Sequence, residues 1–434
     1  LPARFSYLCA VFLFTQTRSS TVDLFEKLLQ DRGPLGKHSK MAHGYLTFPK
    51  LEGEIGPYMN FKGKKVLNWS LNNYLGLANH PEVRKADADA SAQYGLGYPM
   101  GARMMSGNSD HHEQLEAELA VFVGKESSYL LNFGYQGIMS AIDCLLDRHD
   151  AVVYDAESHA CILDGLRMFI GKRFVYAHND IASLEKQLVR AEKLVAETGG
   201  SVLVITEGVF GMSGNQGKLK EIVELKKRFS FRLLVDDAHG FGTMGKTGAG
   251  TGEAQGCQDG IDIYFSTFAK SMASIGAFIA SDAQVIDYLR YNMRSQIFAK
   301  SLPMPLVIGA LKRLELLRNK PELKDQLWVV TNKLQSLLRE KGFNIGNTSS
   351  PVTPVILQCD ENQVAKLAID LRENYGLFCS PVCYPVIPKG LIILRLIPTA
   401  LHSEADIEKT VAALQEIYVK LKNNEYISSE YAVA

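Results

Sequence analysis

Runs of apolar residues alternate along this chain with segments of helical spacing. Leu233, Leu234 and Val235 form a continuous apolar run closed by Asp236, the pattern of a strand buried on both faces. Val202 to Ile205 repeats it and stops at Thr206 and Glu207, and the run AVVYD stops at Asp155. Leu219 to Phe229 reads as a helix, and Leu115, Leu119 and Phe122 give helical spacing across Asp110 to Val123. Strand and helix in alternation predict an α/β fold with a mostly parallel sheet, whose ligands lie beyond the C-terminal ends of the strands. Asp236 and Glu207 both fall at such ends.

Outside this region the pattern changes. Thr21 to Leu29 reads as a short amphipathic helix, and the segment around Lys62, Gly63 and Lys64 as a hairpin. The glycines and proline between Tyr94 and Gly107 predict a loop. The C-terminal part reads as a small α/β unit, with helices near Leu306 to Arg318 and Leu323 to Lys341 and strands near Val355 and from Leu391 to Ile397.

Composition narrows the class. The 434 residues are 46% hydrophobic and 22% charged, with 47 basic and 47 acidic side chains. That balance gives no reason to expect nucleic-acid binding or strong electrostatic attraction to membranes. Seven cysteines without a CxxC pair favour a reduced, cytoplasmic setting over a disulfide framework. The apolar run from Tyr7 to Phe14 is shorter than the roughly 20 residues that span a bilayer, and reads as part of a leader, with peripheral membrane contact as the alternative. No metal site is expected, because the adjacent His111 and His112 point about 100° apart on a helix.

The candidate chemistry centres on FSTFAKSMASIGAFIA, Phe265 to Ala280, where Lys270 sits among small residues and Gly276 leaves room for a flat ligand. A lysine buried among uncharged neighbours loses its proton more readily and can form a Schiff base. Thirty-four positions earlier Asp236 ends its strand where a carboxylate could pair with a pyridinium nitrogen, the partner pyridoxal phosphate (PLP) requires. Asp237 suits a structural role, and His239 lies in reach of a cofactor ring hydroxyl.

VDDAHGFG followed by STFAKSMASIGAF resembles the α-oxoamine synthases, PLP-dependent acyltransferases that include serine palmitoyltransferase, amino-oxononanoate synthase, aminoketobutyrate ligase and aminolevulinate synthase. The resemblance runs from about Asn72 to His402 and implies the PLP-dependent transferase fold type I. That fold has a large domain with a mostly parallel seven-stranded sheet and a small C-terminal α/β domain. It divides the chain into a leader, helix and hairpin arm (1–65), a PLP-binding domain (66–300) and a small domain (301–434), and implies a homodimer.

The resemblance also assigns residues. Lys270 would hold the cofactor and move the substrate's proton, Asp236 would pair with the ring nitrogen and His239 with the ring hydroxyl. His159 would stack on one ring face and Ala238 on the other; Gly134, Tyr135, Thr267 and Ser301 would serve the phosphate. Arg395 would grip a substrate carboxylate, and Asn73, Arg103 and Lys300 would lie toward the substrates. Relatives carry Ser at Ala269, Gly-Ser-Arg at residues 101–103, and an acidic residue then Gly-Asp where this chain has Ser213, Gly214 and Asn215, which removes two carboxylates.

The implied reaction is decarboxylative condensation of a small amino acid with a long-chain acyl thioester, on acyl carrier protein or coenzyme A, to a 3-keto long-chain base of sphingolipid or sulfonolipid type. Lys300 as an added cation and the missing acids suit a sulfonate, so cysteate is favoured. Serine is the runner-up, then glycine or alanine. Two other classes stand beside it: an aminotransferase with the same cofactor grip, and a non-catalytic partner subunit, which the presence of Lys270 argues against.

Overall fold

The computed structural model describes residues 22–30, 43–383, 387 and 391–427. The apolar run from Tyr7 to Phe14 lies outside them. The N-terminal helix is present at Leu24–Gln30, with Leu24, Phe25, Leu28 and Leu29 exposed.

Fourteen strands are described, among them β1 (Leu51–Glu52), β2 (Tyr58–Phe61), β3 (Lys64–Asn68), β4 (Ser127–Leu131), β5 (Ala151–Asp155), β6 (Lys172–Tyr176) and β7 (Val202–Glu207). They continue with β8 (Arg232–Asp236), β9 (Ile263–Thr267), β10 (Ala277–Ser281), β11 (Thr353–Leu357), β12 (Leu377–Phe378), β13 (Ser380–Val382) and β14 (Ile392–Leu396). The large sheet has seven strands in the order β4-β10-β9-β8-β7-β5-β6. Only β10 runs against the others, pairing antiparallel with both β4 and β9. The central strands β7, β8 and β9 bury nearly every residue, as strands covered on both faces must. One face packs Val153, Val204, Leu233, Val235 and Phe278 in one core, and the other packs Ile138, Ile162, Ile205, Leu234 and Phe265 in a second.

Register decides what faces the ligand end. Glu207 of β7 lies beside Asp236 of β8, and Asp236 beside Phe265 of β9, so two carboxylates stand at adjacent strand ends. The helix over residues 219–229 is shorter than its pattern, ending at Leu225, and the next turn is drawn into the loop where Lys226 Nζ bonds the Gly260 carbonyl and Asp262.

A three-stranded antiparallel sheet, β11-β14-β13, forms the C-terminal unit with its own core, including Leu334, Val355, Leu394 and Ile407. The hairpin β2-β3 joins it to the rest, because β3 pairs in parallel with β12. The helix Met304–Asn319, past residue 300, still contributes Val307, Ala310 and Leu314 to the core of the large sheet. No described helix is long and apolar enough to cross a membrane.

Candidate active site

Lys270 follows β9 in a tight turn closed by bonds from the Ala273 amide to the Lys270 carbonyl, Ser274 to Phe268, and Phe268 to Gly276. The turn needs glycine at 276, where φ is 130° and a Cβ would come within 2.6 Å of the Phe268 ring. The room at Gly276 is therefore filled by Phe268 and Leu302, not left for a ligand as the sequence suggested.

Burial pushes the Lys270 ammonium down from its usual range, and Asp236 and Glu207 hold it up. Both carboxyls are themselves raised by burial, Asp236 against the pull of Lys270 and His159, Glu207 further by Asp236 beside it. The charges of these three groups are therefore linked.

His159 caps the helix Ala160–Met168, and two contacts fix it. Its backbone amide donates to Glu207 Oε1 at 2.6 Å, and its Nδ1 accepts from the Cys161 amide at 3.3 Å with the Cys161 Sγ 2.9 Å away. The Cys161 thiol also lies 3.9 Å from Asp236 Oδ2. Burial lowers the imidazole below its ordinary range, so it is neutral. The Ala238 amide donates to Asp236 Oδ1 at 3.1 Å, orienting that carboxylate. His239 is buried with Nδ1 2.8 Å from the Tyr74 hydroxyl, and its Nε2 occupies the space where a Cβ on Gly211 would lie. Asp237 points away, accepting from the Thr251 amide, the Thr251 hydroxyl and the Tyr264 hydroxyl.

At the other edge, Gly134 begins the helix Gly134–Leu145, and a Cβ there would meet Thr267 Oγ1 at 3.0 Å. A helix N-terminus without a side-chain cap beside a hydroxyl suits a phosphate. Thr267 Oγ1 already donates to the Gly276 carbonyl at 3.0 Å and accepts from the Ala269 amide, so an anion there meets the amides more than this hydroxyl. Tyr135 is 44% exposed and its hydroxyl donates to Asp164, while its backbone amide stays in the first turn of the helix, the part of it expected to meet the phosphate. Ser301 is 4% exposed, and its Oγ has no hydrogen-bond partner among the described residues.

Arg395 stands in β14 between buried leucines. No described carboxylate pairs with it: one terminal nitrogen donates to Asn72 Oδ1 at 3.2 Å and Nε has no partner. Of the other expected substrate residues, two have internal partners and one is exposed. Asn73 turns its Oδ1 to the Ala78 amide, leaving its neighbour Asn72 at Arg395. Arg103 is bound in a fork by Glu116 at 2.7 and 3.1 Å, a carboxylate it shares with Arg290. Lys300 is exposed, its Nζ 3.5 Å from Met100 Sδ. The loop carrying Ser213, Gly214 and Asn215 is closed by Asn215 Nδ2 to His178 Nε2 at 2.8 Å. His112 bonds Ser109 Oγ and the Leu302 carbonyl, and no described cluster could hold a metal.

Sequence reasoning did not select Asn72, Tyr74, Glu207 or Cys161. Glu207 carried a signal, the same strand-end position as Asp236, and Asn72 and Tyr74 flank the selected Asn73. Cys161 carried none.

These features fit PLP: a half-buried lysine facing two carboxylates, an uncapped helix start, and the unpartnered Ser301 Oγ and Arg395 Nε. The sequence from residue 64 to 414 matches the family model of aminotransferase class I and II. The chain is 62% identical over 404 residues to a cysteate-C-fatty acyltransferase of Capnocytophaga ochracea, covering 93% of this chain and 96% of that one. It is 35% identical to a serine palmitoyltransferase of Sphingobacterium spiritivorum, over 86% of this chain and 92% of the other. A solved serine palmitoyltransferase of S. paucimobilis aligns with a TM-score of 0.84 at 28% identity, covering 92% of this chain and 100% of that one. A second solved SPT, with PLP, aligns at 29% identity, a TM-score of 0.84 and the same coverage. The chain belongs to the aminotransferase class I and II family and, within it, to the α-oxoamine synthases, PLP-dependent acyltransferases of fold type I.

Proposed function

We propose that this enzyme condenses cysteate with a long-chain acyl thioester, releasing carbon dioxide and the thiol carrier and forming a 3-keto long-chain base with a sulfonate group. The observation that carries the reading is the 62% identity, over 93% of the chain, to a cysteate-C-fatty acyltransferase. The site supports the reaction class. When bound, PLP supplies an electron sink for the bonds broken at the α-carbon.

The protein residues do the rest. Lys270 holds the cofactor and then, lowered by burial, takes the α-proton of the amino acid. Asp236, fixed by the Ala238 amide, keeps a proton on the cofactor's ring nitrogen. His159, held by Glu207 and Cys161, and Ala238 are the residues that would cover the bound ring. The Gly134 helix start and Ser301 hold the phosphate. Arg395 offers its unpartnered Nε to the carboxylate, with Asn72 holding a terminal nitrogen of the same guanidinium. Lys300, exposed and without a carboxylate partner among the described residues, is the cation available to an acidic substrate.

The enzyme works as a homodimer, in the cytoplasm, with an acyl carrier protein or coenzyme A thioester, in long-chain base synthesis. Exposed Leu96, Met100, Met105 and Phe298 support the dimer. The free cysteines 144, 161, 257, 359, 379 and 383 support a reducing compartment. Serine is the second reading, favoured by the 35% identical serine palmitoyltransferase. Purified enzyme offered cysteate, serine, glycine or alanine with a long-chain acyl thioester tests the proposal. Carbon dioxide release with cysteate well above serine is expected, and release with serine but none with cysteate overturns it.

A further inference from the structure

Tyr74 takes no part in the reaction above, yet it is among the most deeply buried polar groups near the site. It is 1% exposed, its hydroxyl is 2.8 Å from His239 Nδ1, and the two rings meet edge to face at 6.1 Å. A phenol has one proton to give. Among the described residues His239 Nδ1 is the one hydrogen-bond partner of the hydroxyl, and Arg395 nearby is a cation that can only donate, so the buried phenol satisfies its proton by giving it to Nδ1. Burial pushes the ionisation of Tyr74 up to about 12, which keeps that proton in place.

An imidazole that accepts at Nδ1 and is neutral carries its hydrogen on Nε2. Burial, Lys270 and Arg395 all disfavour a second proton on His239. Among the described residues no hydrogen bond engages Nε2, and Gly211 beside it has no side chain to do so. Two hydrogen-bonded pairs, Asn72 with Arg395 and Tyr74 with His239, thus lie side by side between the carboxylate fork and the cofactor end of the site.

We propose that Tyr74 is a positioning residue that locks His239 in the Nε2–H form, so that a hydrogen-bond donor always faces the cofactor's ring oxygen. The proposal rests on the PLP reading of the site but not on which amino acid is the substrate.

Tyr74→Phe removes only the hydroxyl. In the PLP-loaded enzyme without substrate, the bound cofactor's visible absorbance is titrated with pH for wild type and variant. A donor at the ring oxygen stabilises its anion, and losing it lets the protonated form persist to higher pH. The midpoint is expected to move up by about half a pH unit to one unit, the equivalent of one ordinary hydrogen bond. An unchanged midpoint in a variant that holds PLP overturns the proposal, whatever happens to its melting temperature. Should the variant not fold, ring-nitrogen NMR of histidine-labelled wild-type holoenzyme decides, with His239→Asn identifying the signal: hydrogen on Nε2 supports the proposal and hydrogen on Nδ1 overturns it. No amino acid or thioester is added, so failure of the cysteate assignment leaves both results readable. Wild type that takes up no PLP would overturn the functional reading as well.

Discussion

Arg395 interrupts the run IILRL, where every other residue is aliphatic. A cation in that position is costly unless something pairs with it, and its neighbours Asn72 and Tyr74 are both neutral. The partner we propose for it is a substrate carboxylate. Arg395→Ala is expected to raise KM for the amino acid by roughly 10-fold to 100-fold, the worth of charge-assisted hydrogen bonds. Arg395→Lys should recover part of it, since charge returns but the planar fork does not. Steady-state kinetics at saturating thioester measure this, and an unchanged KM in both variants would remove Arg395 from the carboxylate site.

Residues of this kind were legible because each breaks a local pattern: a lysine among small side chains, a carboxylate closing an apolar strand, an arginine within one. Choosing Asn73 over Asn72 was beyond the sequence, because the choice turns on which amide a side chain meets three-dimensionally; Asn73 caps the turn at Ala78. Arg103 shows the same limit from the other side. Its partner Glu116 lies on a helix whose spacing was clear, yet nothing in the spacing showed that the carboxylate faces inward.

Among the elements, the helix Asp110–Phe122 and the segment entering the helix Met304–Asn319 are joined by one buried side chain. His112 accepts or donates at Ser109 Oγ and bonds the Leu302 carbonyl at 2.9 Å, next to Ser301. Burial first, and Arg103 second, push its imidazole down to about 4 from an ordinary 6.5. The folded state therefore resists a proton that the unfolded chain accepts below about pH 6.5. Stability from this site is complete above that pH and is lost as pH falls toward about 4, by up to about 3 kcal/mol. His112→Gln, which cannot titrate, is expected to show a shallower loss of stability over that window than wild type. Urea melts at neutral and acidic pH compare the two, and parallel losses would contradict the assignment.

The strands and most helices of the large sheet were readable because burial on both faces leaves continuous apolar runs and βα alternation admits few topologies. Helix ends were less so: the stop at Leu225 depends on Lys226 reaching the loop at Gly260 and Asp262, a contact 34 residues away.

For the whole molecule, the layout of three sheets follows from pairings far apart in sequence. The parallel pairing of β3 with β12 joins residues 67 and 377, which no local pattern announces. The family resemblance supplied what periodicity could not, the number of strands in the large sheet; the small C-terminal α/β unit was already visible in the pattern. The exposed apolar side chains Leu96, Met100, Met105 and Phe298 form part of loops that meet at Ser301, whose amide bonds the Gly101 carbonyl. Light scattering on the PLP-loaded enzyme is expected to give twice the 48.0 kDa of one chain. A mass of one chain at working concentration would contradict the homodimer.

The most direct measurement is borohydride reduction of the PLP-loaded enzyme, followed by proteolysis and mass mapping. Reduction fixes the cofactor permanently to whichever amine holds it. The label is predicted on Lys270, in the turn between β9 and β10 and opposite Asp236 and Glu207. Label on any other lysine, or none in protein that has taken up PLP, would contradict the account.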